Sequence, residues 1–295
     1  MRAFCVVAVM SCASVPTTQS TPTRKCSAAV KLGVVPLALV ELSGLVASRA
    51  HPGVLYAHND SGDSARFFAM SSTDAHITAT YTLPGATAVD WEDIALGPCG
   101  EKTCVFLGDV GDNRRVREGY AVYRVEEPSA SNAGGEVHFE RFAFEYPTGV
   151  KKNAEAMLVH PTTGRVYVLT KEETGQASEV YRFPEPMSAA STATLVKVAV
   201  LSVPVPSDQK LTAASIDPSG RRVLLRMYNR LVELELPPSA GDFELIFTQV
   251  PRDMPSADEP QGEAVAFSSD GNAYFTSSER PKAADVALSR FDCRY

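Results

Sequence analysis

Three glutamates stand at matching places in this chain, and their pattern indicates chemistry that needs several carboxylates together. Glu92, Glu155 and Glu263 each lie at the start of a short run of small apolar residues. Carboxylates held close together repel one another, so they either keep protons to a higher pH or bind a cation. Oxygen ligands of this kind are those that Ca²⁺ prefers. The cofactor that the sequence favours is therefore Ca²⁺, provided that the fold brings these residues together.

The glutamates belong to a phrase that recurs five times, as ELSGLVAS, DWEDIALG, KNAEAMLVH, KLTAASIDP and QGEAVAFSS. A period near 50 residues, with several strand-like runs in each unit, is typical of a β-propeller. We therefore predict an all-β fold, a five-bladed β-propeller with four strands per blade, with a six-bladed ring as the alternative. The equivalent positions are Ser43, Glu92, Glu155, Thr212 and Glu263, at intervals of 49, 63, 57 and 51 residues.

The sequence also predicts how the ring closes. The fifth unit ends after its third strand, at residues 285–291, and a strand-like segment at residues 29–37 has no partner in its own unit. We expect this N-terminal strand to complete the last blade. The other fourth strands each end at a proline, which cannot continue a hydrogen-bonded ladder. They are predicted at residues 77–84, 137–147, 194–204 and 243–251.

In a propeller the first strand of each blade lines the central channel, and the loop after the second strand opens on the same face. Glu41 lies two residues before Ser43 and so faces the same side of its strand. Asp112, Lys171, Glu279 and Arg226 are also expected near this face. The predicted ligand-binding residues are Glu41, Asn59, Asp60, Asp109, Asn113, Glu172 and Asn229.

The candidate metal ligands are Glu41, Glu92, Glu155 and Glu263. The candidate catalytic residues are Glu92 or Glu155 as a base, with Lys171 or Arg226 to position a substrate. Two further interpretations remain open for the same residues. Polar side chains in a channel also bind water or backbone amides of neighbouring blades, and a cation there can be purely structural.

Composition narrows the class of partner. The chain has 35 acidic and 28 basic residues and a net charge of −7, so we expect no nucleic-acid partner. The sequence contains no G-x-S-x-G, H-E-x-x-H, P-loop or dinucleotide-binding motif. A small ligand, a glycan or a protein at the channel face fits these observations better.

The N-terminus has the features of an export signal. A short apolar run precedes Val9-Met10-Ser11-Cys12, which is similar to a bacterial lipobox, and residues rich in Ser, Thr and Pro follow. We predict a signal peptide at residues 1–11, lipidation at Cys12, a linker at 12–27 and a single propeller domain at 28–295. An ordinary cleaved signal and a misassigned start are the alternatives. The predicted location is the cell envelope (outer membrane or periplasm) or the medium, with membrane contact only through the lipid.

The other four cysteines can pair, because export permits disulfides. Cys99 and Cys104 flank a short turn, and Cys26 and Cys293 lie near opposite ends of the chain that a closed ring would bring together. We predict the disulfides Cys26–Cys293 and Cys99–Cys104. Free or zinc-binding thiols are the alternative, although no C-x-x-C pair is present.

Several phrases together resemble a group of exported bacterial β-propeller proteins that are described as lipoproteins or secreted proteins. The phrases are ELSGLVASR, HNDSG, DWEDIA, GDVGDN, NAEAM and LTKE, and the resemblance covers about residues 38–280. More distantly, the layout is similar to phytase-like esterase and calcium-dependent lactonase propellers. That similarity implies a divalent cation held by acids at the channel mouth, at Glu41, Asn59, Glu92, Glu155 and Glu263.

Two functions follow from these observations. The first, which we favour, is a binding module of the cell envelope with an acidic, calcium-binding central funnel. The second is a calcium-dependent hydrolase of a phosphoester or a lactone.

Overall fold

The chain folds into a closed ring of five β-sheets. The computed structural model describes residues 24–129, 133–173, 175–201, 210–280 and 284–294, together with Met1. The inner strand of each sheet packs against the inner strands of the two neighbouring sheets, and the last sheet packs against the first. The prediction of a five-bladed β-propeller is thus confirmed, and the six-bladed alternative is wrong.

Each blade is a mainly antiparallel sheet whose strands follow the chain outward from the channel. The inner strands are β3 (Leu42–Ala47), β7 (Trp91–Cys99), β12 (Ala154–Val159), β17 (Leu211–Ile216) and β21 (Gly262–Phe267). The second strands are β4 (Val54–Asn59), β8 (Lys102–Asp109), β13 (Val166–Thr170), β18 (Arg222–Met227) and β22 (Ala273–Ser278). The third strands are β5 (Arg66–Ser71), β9 (Tyr120–Glu126), β14 (Glu179–Arg182), β19 (Arg230–Glu235) and β23 (Ala287–Arg294).

The outer strands are less regular than the inner ones. They are β6 (Ile77–Thr82), β11 (Glu140–Glu145), β16 (Val196–Val200), β20 (Arg252–Met254) and, for the fifth blade, β2 (Val30–Val34) with β1 (Lys25–Cys26) beside it. Two short segments, β10 (Gly135–Glu136) and β15 (Ala193–Thr194), pair in parallel with β6 and β11 of the preceding blades. They cover edges that would otherwise be open to pairing with another chain.

One predicted outer strand is wrong. Most of residues 243–251 forms a 3-10 helix, Phe243–Thr248, and the outer strand of the fourth blade comes later, at β20. The apolar residues Phe243, Ile246 and Phe247 are buried, and a spacing of three and four residues matches one face of a helix. The Asp242 side chain accepts a hydrogen bond from the Glu244 amide and so caps the helix.

Every inner strand contains a register shift at the repeated position. The pairing with the second strand skips Ser43, Glu92, Glu155, Thr212 and Glu263 in turn. A bulged residue leaves the ladder and its side chain is redirected. The phrase recurs in the sequence because each blade needs this bulge where its inner strand enters the channel.

The ring closes as the sequence predicts. Strand β2 pairs with β23, and Cys26 is bonded to Cys293 with an S–S distance of 2.02 Å. Arg24, next to strand β1, forms a buried ion pair with Glu233 at 2.7 Å, and β1 itself pairs with β23. The second predicted disulfide, Cys99–Cys104, is also present.

The predicted N-terminal features cannot be placed on this fold. Residues 2–23, which include Cys12 and most of the predicted signal peptide and linker, lie outside the described residues. Within the described ranges, no helix has the length and apolar character needed to cross a membrane.

Candidate functional site

The bulges place three glutamates at the end of the channel where the inner strands begin, which we call the funnel. Glu92 is 2% exposed, Glu155 3% and Glu263 4%. The two hydroxyl residues at equivalent positions bind the neighbouring blade instead. Ser43 Oγ donates to the Glu92 carbonyl at 2.6 Å, and Thr212 Oγ1 donates to the Gly262 carbonyl at 2.8 Å. One repeated position therefore supplies acids to the funnel in three blades and joins neighbouring blades in the other two.

The funnel has an acidic half formed mainly by the first two blades. Oxygen atoms of Asp60, Asp90 and Glu92 all lie within 4.8 Å of one another, and so do oxygen atoms of Glu41, Asp60 and Glu279. Glu92 Oε1 is buried and has no hydrogen-bond partner. A buried, unpartnered carboxylate oxygen is costly unless a proton or a cation compensates it. The acidic half is thus suited to bind a cation.

The electrostatics of this half agree with its geometry. Burial raises the pKa of Asp60 to about 7, with Asp90, Glu155 and Glu279 adding to the shift. Burial, with Glu41 and Glu155 nearby, also raises the pKa of Glu279 to about 7. The pKa of Glu92 is raised well above its ordinary value by burial first and then by Glu155, Asp60 and Asp90. Without a cation, these carboxyls retain protons at pH values where exposed carboxyls are ionised.

The other half of the funnel is neutralised internally by Lys171. This amine forms an ion pair with Glu155 and donates to Tyr228 Oη at 2.8 Å. Burial alone would lower the pKa of Lys171, but Glu155, Glu263 and Tyr228 outweigh burial and raise it. Lys171 is therefore a permanent cation here rather than a nucleophilic amine.

Two amides complete the Lys171 half. Gln261 Nε2 donates to Glu263 Oε1 at 2.9 Å, and Asn153 Nδ2 donates to Glu155 Oε1 at 3.3 Å. Burial, followed by the charge of Glu155, still raises the pKa of Glu263 to about 9. This half therefore holds one ion pair and one carboxyl that keeps its proton near neutral pH.

Several predicted ligand-binding residues have partners around the funnel rim. Asp109 is paired with Arg117 at 2.8 Å, and Glu172 with Arg115 at 3.1 Å. Asn113 Oδ1 accepts a hydrogen bond from Asn153. These contacts hold the loops that surround the funnel.

The remaining predicted residues lie in different surroundings. Asn59 Nδ2 donates to the Ala38 carbonyl and to Asp63, and Asn229 is exposed in the turn between β18 and β19. Arg226 is fully buried and donates to Glu259 at 2.5 Å. Its guanidinium lies so close to Gly262 that a Cβ there would meet Arg226 Nη2 at 1.6 Å. It therefore packs between the fourth and fifth blades.

Sequence reasoning missed Asp90, Asn153 and Gln261, although a usable signal was present. Each lies two residues before a repeated glutamate, as Glu41 lies two residues before Ser43. Because residues two apart in a strand face the same side, all three could be predicted in the way that Glu41 is. Tyr228 had no such signal, because it reaches Lys171 from a neighbouring blade.

The channel is closed below the funnel by Asp93. Its Oδ2 accepts from the amides of Met157 at 2.8 Å and Ala214 at 3.2 Å, and Oδ1 accepts from Ile94 at 2.8 Å. Asp93 therefore crosses the channel below the funnel and joins the inner strands of three blades.

A cavity of about 350 Å³ lies next to the acidic half. Its wall includes Leu37, Val40, Glu41, Ser61 and Arg66. Glu41 belongs to both the cavity and the carboxylate cluster. The volume is at the lower end of the range for small-molecule sites.

Comparison with known proteins gives no family. No protein-family model and no curated protein matches the chain. Among solved structures, the chain is similar to the PQQ-bound aldose sugar dehydrogenase of Streptomyces coelicolor, with 13% identity, a TM-score of 0.48, and coverage of 93% of this chain and 100% of that one. It is also similar to a structure of the nidogen/laminin complex, with 13% identity, a TM-score of 0.44, and coverage of 80% and 72%. Likeness at this level carries no argument about function.

Proposed function

We propose that this protein is an exported binding module whose funnel holds Ca²⁺ and binds a ligand on the same face. The residues that would hold the cation are Asp60, Asp90 and Glu92. The ligand would be a small molecule, a glycan or a protein segment that reaches the funnel from its open side.

One observation carries this proposal, the unpartnered Oε1 of Glu92. The residue is almost fully buried, one of its oxygens has no partner, and its carboxylate lies among those of Asp60 and Asp90. The available ligands are hard oxygens without any thiol or imidazole, which suits Ca²⁺ better than Zn²⁺. When bound, Ca²⁺ would supply the positive charge that compensates the buried carboxylates.

The ligand-binding part of the proposal is supported by the shape of this face. The cavity beside Glu41 has room for a small ligand, and it contacts the exposed side chain of Leu37. A ligand with an apolar portion and an oxyanion would satisfy both the cavity wall and a cation in the funnel.

Export is supported by the two disulfides. Disulfides persist in oxidising compartments and are rare in the cytosol. Anchoring through Cys12 remains a proposal from the sequence, and mass measurement of the mature N-terminus tests it directly. A lipid-modified Cys12 supports an envelope lipoprotein, whereas an unmodified N-terminus contradicts it.

The test of cation binding is a thermal melt of chelator-treated protein with and without Ca²⁺. A ligand that binds only the folded state adds RT ln(1 + [L]/Kd) to the free energy of unfolding and so raises the melting temperature. We expect Ca²⁺ to raise the melting temperature of the wild type and to have little effect on Glu92→Gln. An unchanged wild-type melt across millimolar Ca²⁺ contradicts the proposal.

A hydrolase is the second candidate, and the protonated carboxyl of Glu263 beside Lys171 favours it. A carboxyl with a pKa of about 9 can donate a proton, and a fixed amine can hold an anionic substrate. Turnover of model phosphoesters and lactones by the calcium-treated protein would test this function. Activity that disappears in Glu263→Gln while Ca²⁺ binding persists supports a hydrolase, and no turnover in the wild type contradicts it.

A further inference from the structure

The channel has a second end, where the inner strands finish, and we call this end the lower mouth. Arg49 lies there, two residues after β3 ends at Ala47. The wall beside Arg49 comes from the inner strands of four blades and includes Val46, Leu96, Leu158 and Ile216. Asp93 crosses the channel between this end and the funnel. A group bound at the lower mouth would therefore be separate from the cation site.

Arg49 is a half-buried base without a partner. Among the residues that the structure describes, no hydrogen-bond acceptor contacts its guanidinium and no carboxylate lies within 4.0 Å of it. In the same part of the chain, every other buried or half-buried Lys or Arg donates to a carboxylate or a carbonyl. Burial lowers the pKa of Arg49, and the charges of Asp217 and Glu127 offset only part of that effect. Unsatisfied donors in such surroundings are costly unless a ligand accepts from them.

The two acids that influence Arg49 are held by other groups. Asp217 pairs with Arg222 at 2.9 Å, and Glu127 accepts a hydrogen bond from the Ser48 hydroxyl. Their negative charge still limits what Arg49 can bind, because it repels a doubly charged group such as phosphate more strongly than a singly charged one. A monoanion therefore suits the lower mouth best.

We propose that the lower mouth is a second binding site, in which Arg49 holds the carboxylate of a ligand. The guanidinium is planar, and its fork of N–H donors matches the two oxygens of a carboxylate. The apolar walls keep the local dielectric low, which strengthens a charge-assisted hydrogen bond. The carboxylate belongs to a small acid or to the C-terminus of a protein, and both present the same group to Arg49.

The two ends of the channel would then bind ligands of opposite charge. The carboxylates of the funnel suit a cation, whereas Arg49 suits an anion. Because Asp93 lies between the two ends and is fixed by amides of three blades, we expect the carboxylate to bind equally well with and without Ca²⁺. Binding at the lower mouth can therefore be tested separately from the proposed function.

The experiment is a calorimetric titration of the full chain with acetate, butyrate and inorganic phosphate, in a low-salt buffer free of other carboxylates. We expect the wild type to bind the two carboxylates more tightly than phosphate. Arg49→Met, which keeps the length of the side chain without its charge, should weaken carboxylate binding by roughly tenfold or more. Arg49→Lys, which keeps the charge but not the fork, should weaken it less.

A short peptide with a free C-terminus and its amidated form distinguish the two sources of the carboxylate. Tighter binding of the free peptide than of butyrate, lost on amidation, identifies the terminus of a protein as the ligand. Binding of butyrate without binding of either peptide identifies a small acid.

The control is Arg141→Met, which removes an exposed arginine of β11 and should leave carboxylate binding unchanged. Circular dichroism shows whether each variant is folded, and Glu127→Gln, which removes a neighbouring negative charge, should tighten binding. The proposal is overturned if the wild type binds no carboxylate, or if Arg49→Met binds it as tightly as the wild type. Stability losses of Arg49→Met and Glu127→Gln that are not additive, together with no carboxylate binding, would show that Arg49 pairs with Glu127 instead.

Discussion

Glu92 and Asp93 are adjacent in the chain, yet they form two regions of the channel with opposite character. Both side chains are buried, and burial raises the pKa of each well above its ordinary value. Asp93, in the middle of the channel, accepts hydrogen bonds from three amides in three blades. Glu92, at the funnel, has an oxygen with no partner.

The difference shows how one kind of side chain serves stability in one place and binding in another. A buried carboxylate whose oxygens are satisfied by the protein joins the groups around it. One that is left unsatisfied lowers the stability of the ligand-free protein and raises its affinity for a cation. The bulge at Glu92 makes both possible, because it directs two consecutive side chains toward the channel.

The strongest test of this comparison removes the central carboxylate. Asp93→Ala leaves the amides of Ile94, Met157 and Ala214 without their acceptor in a buried part of the ring. We expect a loss of about 3 kcal/mol or more in the free energy of unfolding, measured by urea denaturation. Asp93→Asn, which keeps one acceptor oxygen, should lose less. An Asp93→Ala protein as stable as the wild type would contradict the structural role.

A second test compares two glutamates at equivalent positions. Glu155→Gln breaks the buried pair with Lys171 and should destabilise the cation-free protein by about 3 kcal/mol. Glu92→Gln breaks no ion pair. The free energy of unfolding of its cation-free form should therefore equal that of the wild type at pH 5 and be larger than that of the wild type at pH 9. Urea denaturation in a chelating buffer measures both. Equal losses in the two variants would remove the distinction between the two halves of the funnel.

The pH dependence of stability sharpens the same point. Asp60 and Glu279 have folded-state pKa values of about 7, and Glu263 about 9, above their ordinary values of 3.8 for Asp and 4.5 for Glu. A carboxyl whose pKa is higher in the folded than in the unfolded state contributes stability that is fully present below about pH 4. That contribution is lost as the pH rises through the folded-state pKa. The melting temperature of chelated protein should therefore fall by several degrees from pH 5 to 9. Excess Ca²⁺ should reduce this fall, and a profile that is flat without Ca²⁺ would contradict the shifts.

The smallest expected effect comes from a repeated position that carries a hydroxyl. Thr212→Val removes the 2.8 Å hydrogen bond to the Gly262 carbonyl while keeping the shape of the side chain. We expect a loss of about 1 kcal/mol and no change in Ca²⁺ affinity. Altered Ca²⁺ binding in this variant, measured by calorimetry, would place Thr212 within the site rather than between blades.

Much of the fold could be predicted because each blade is a local unit with its own strands and turns. The period of the repeated phrase led to five blades, and the positions of Cys26 and Cys293 led to the closure of the ring, which the structure confirms. The one wrong strand, at Phe243–Thr248, lies at the outer edge of its blade. At this edge the helical and the extended conformations differ in stability by only a few side-chain contacts, so tertiary packing decides which of them forms.

The repeated phrase already shows in the sequence which residues share one position, and hence that glutamates from three blades meet in the funnel. The pairing of Glu155 with Lys171, the unpartnered Oε1 of Glu92 and the contact of Arg226 with Glu259 between blades become visible only once the blades are packed together. The packing of the blades also places Asp93 at the centre of the ring. Such pairing depends on distances of a few ångströms between blades that are far apart in sequence. A repeat sets the height of a side chain in the channel, but it does not set the neighbours of that side chain.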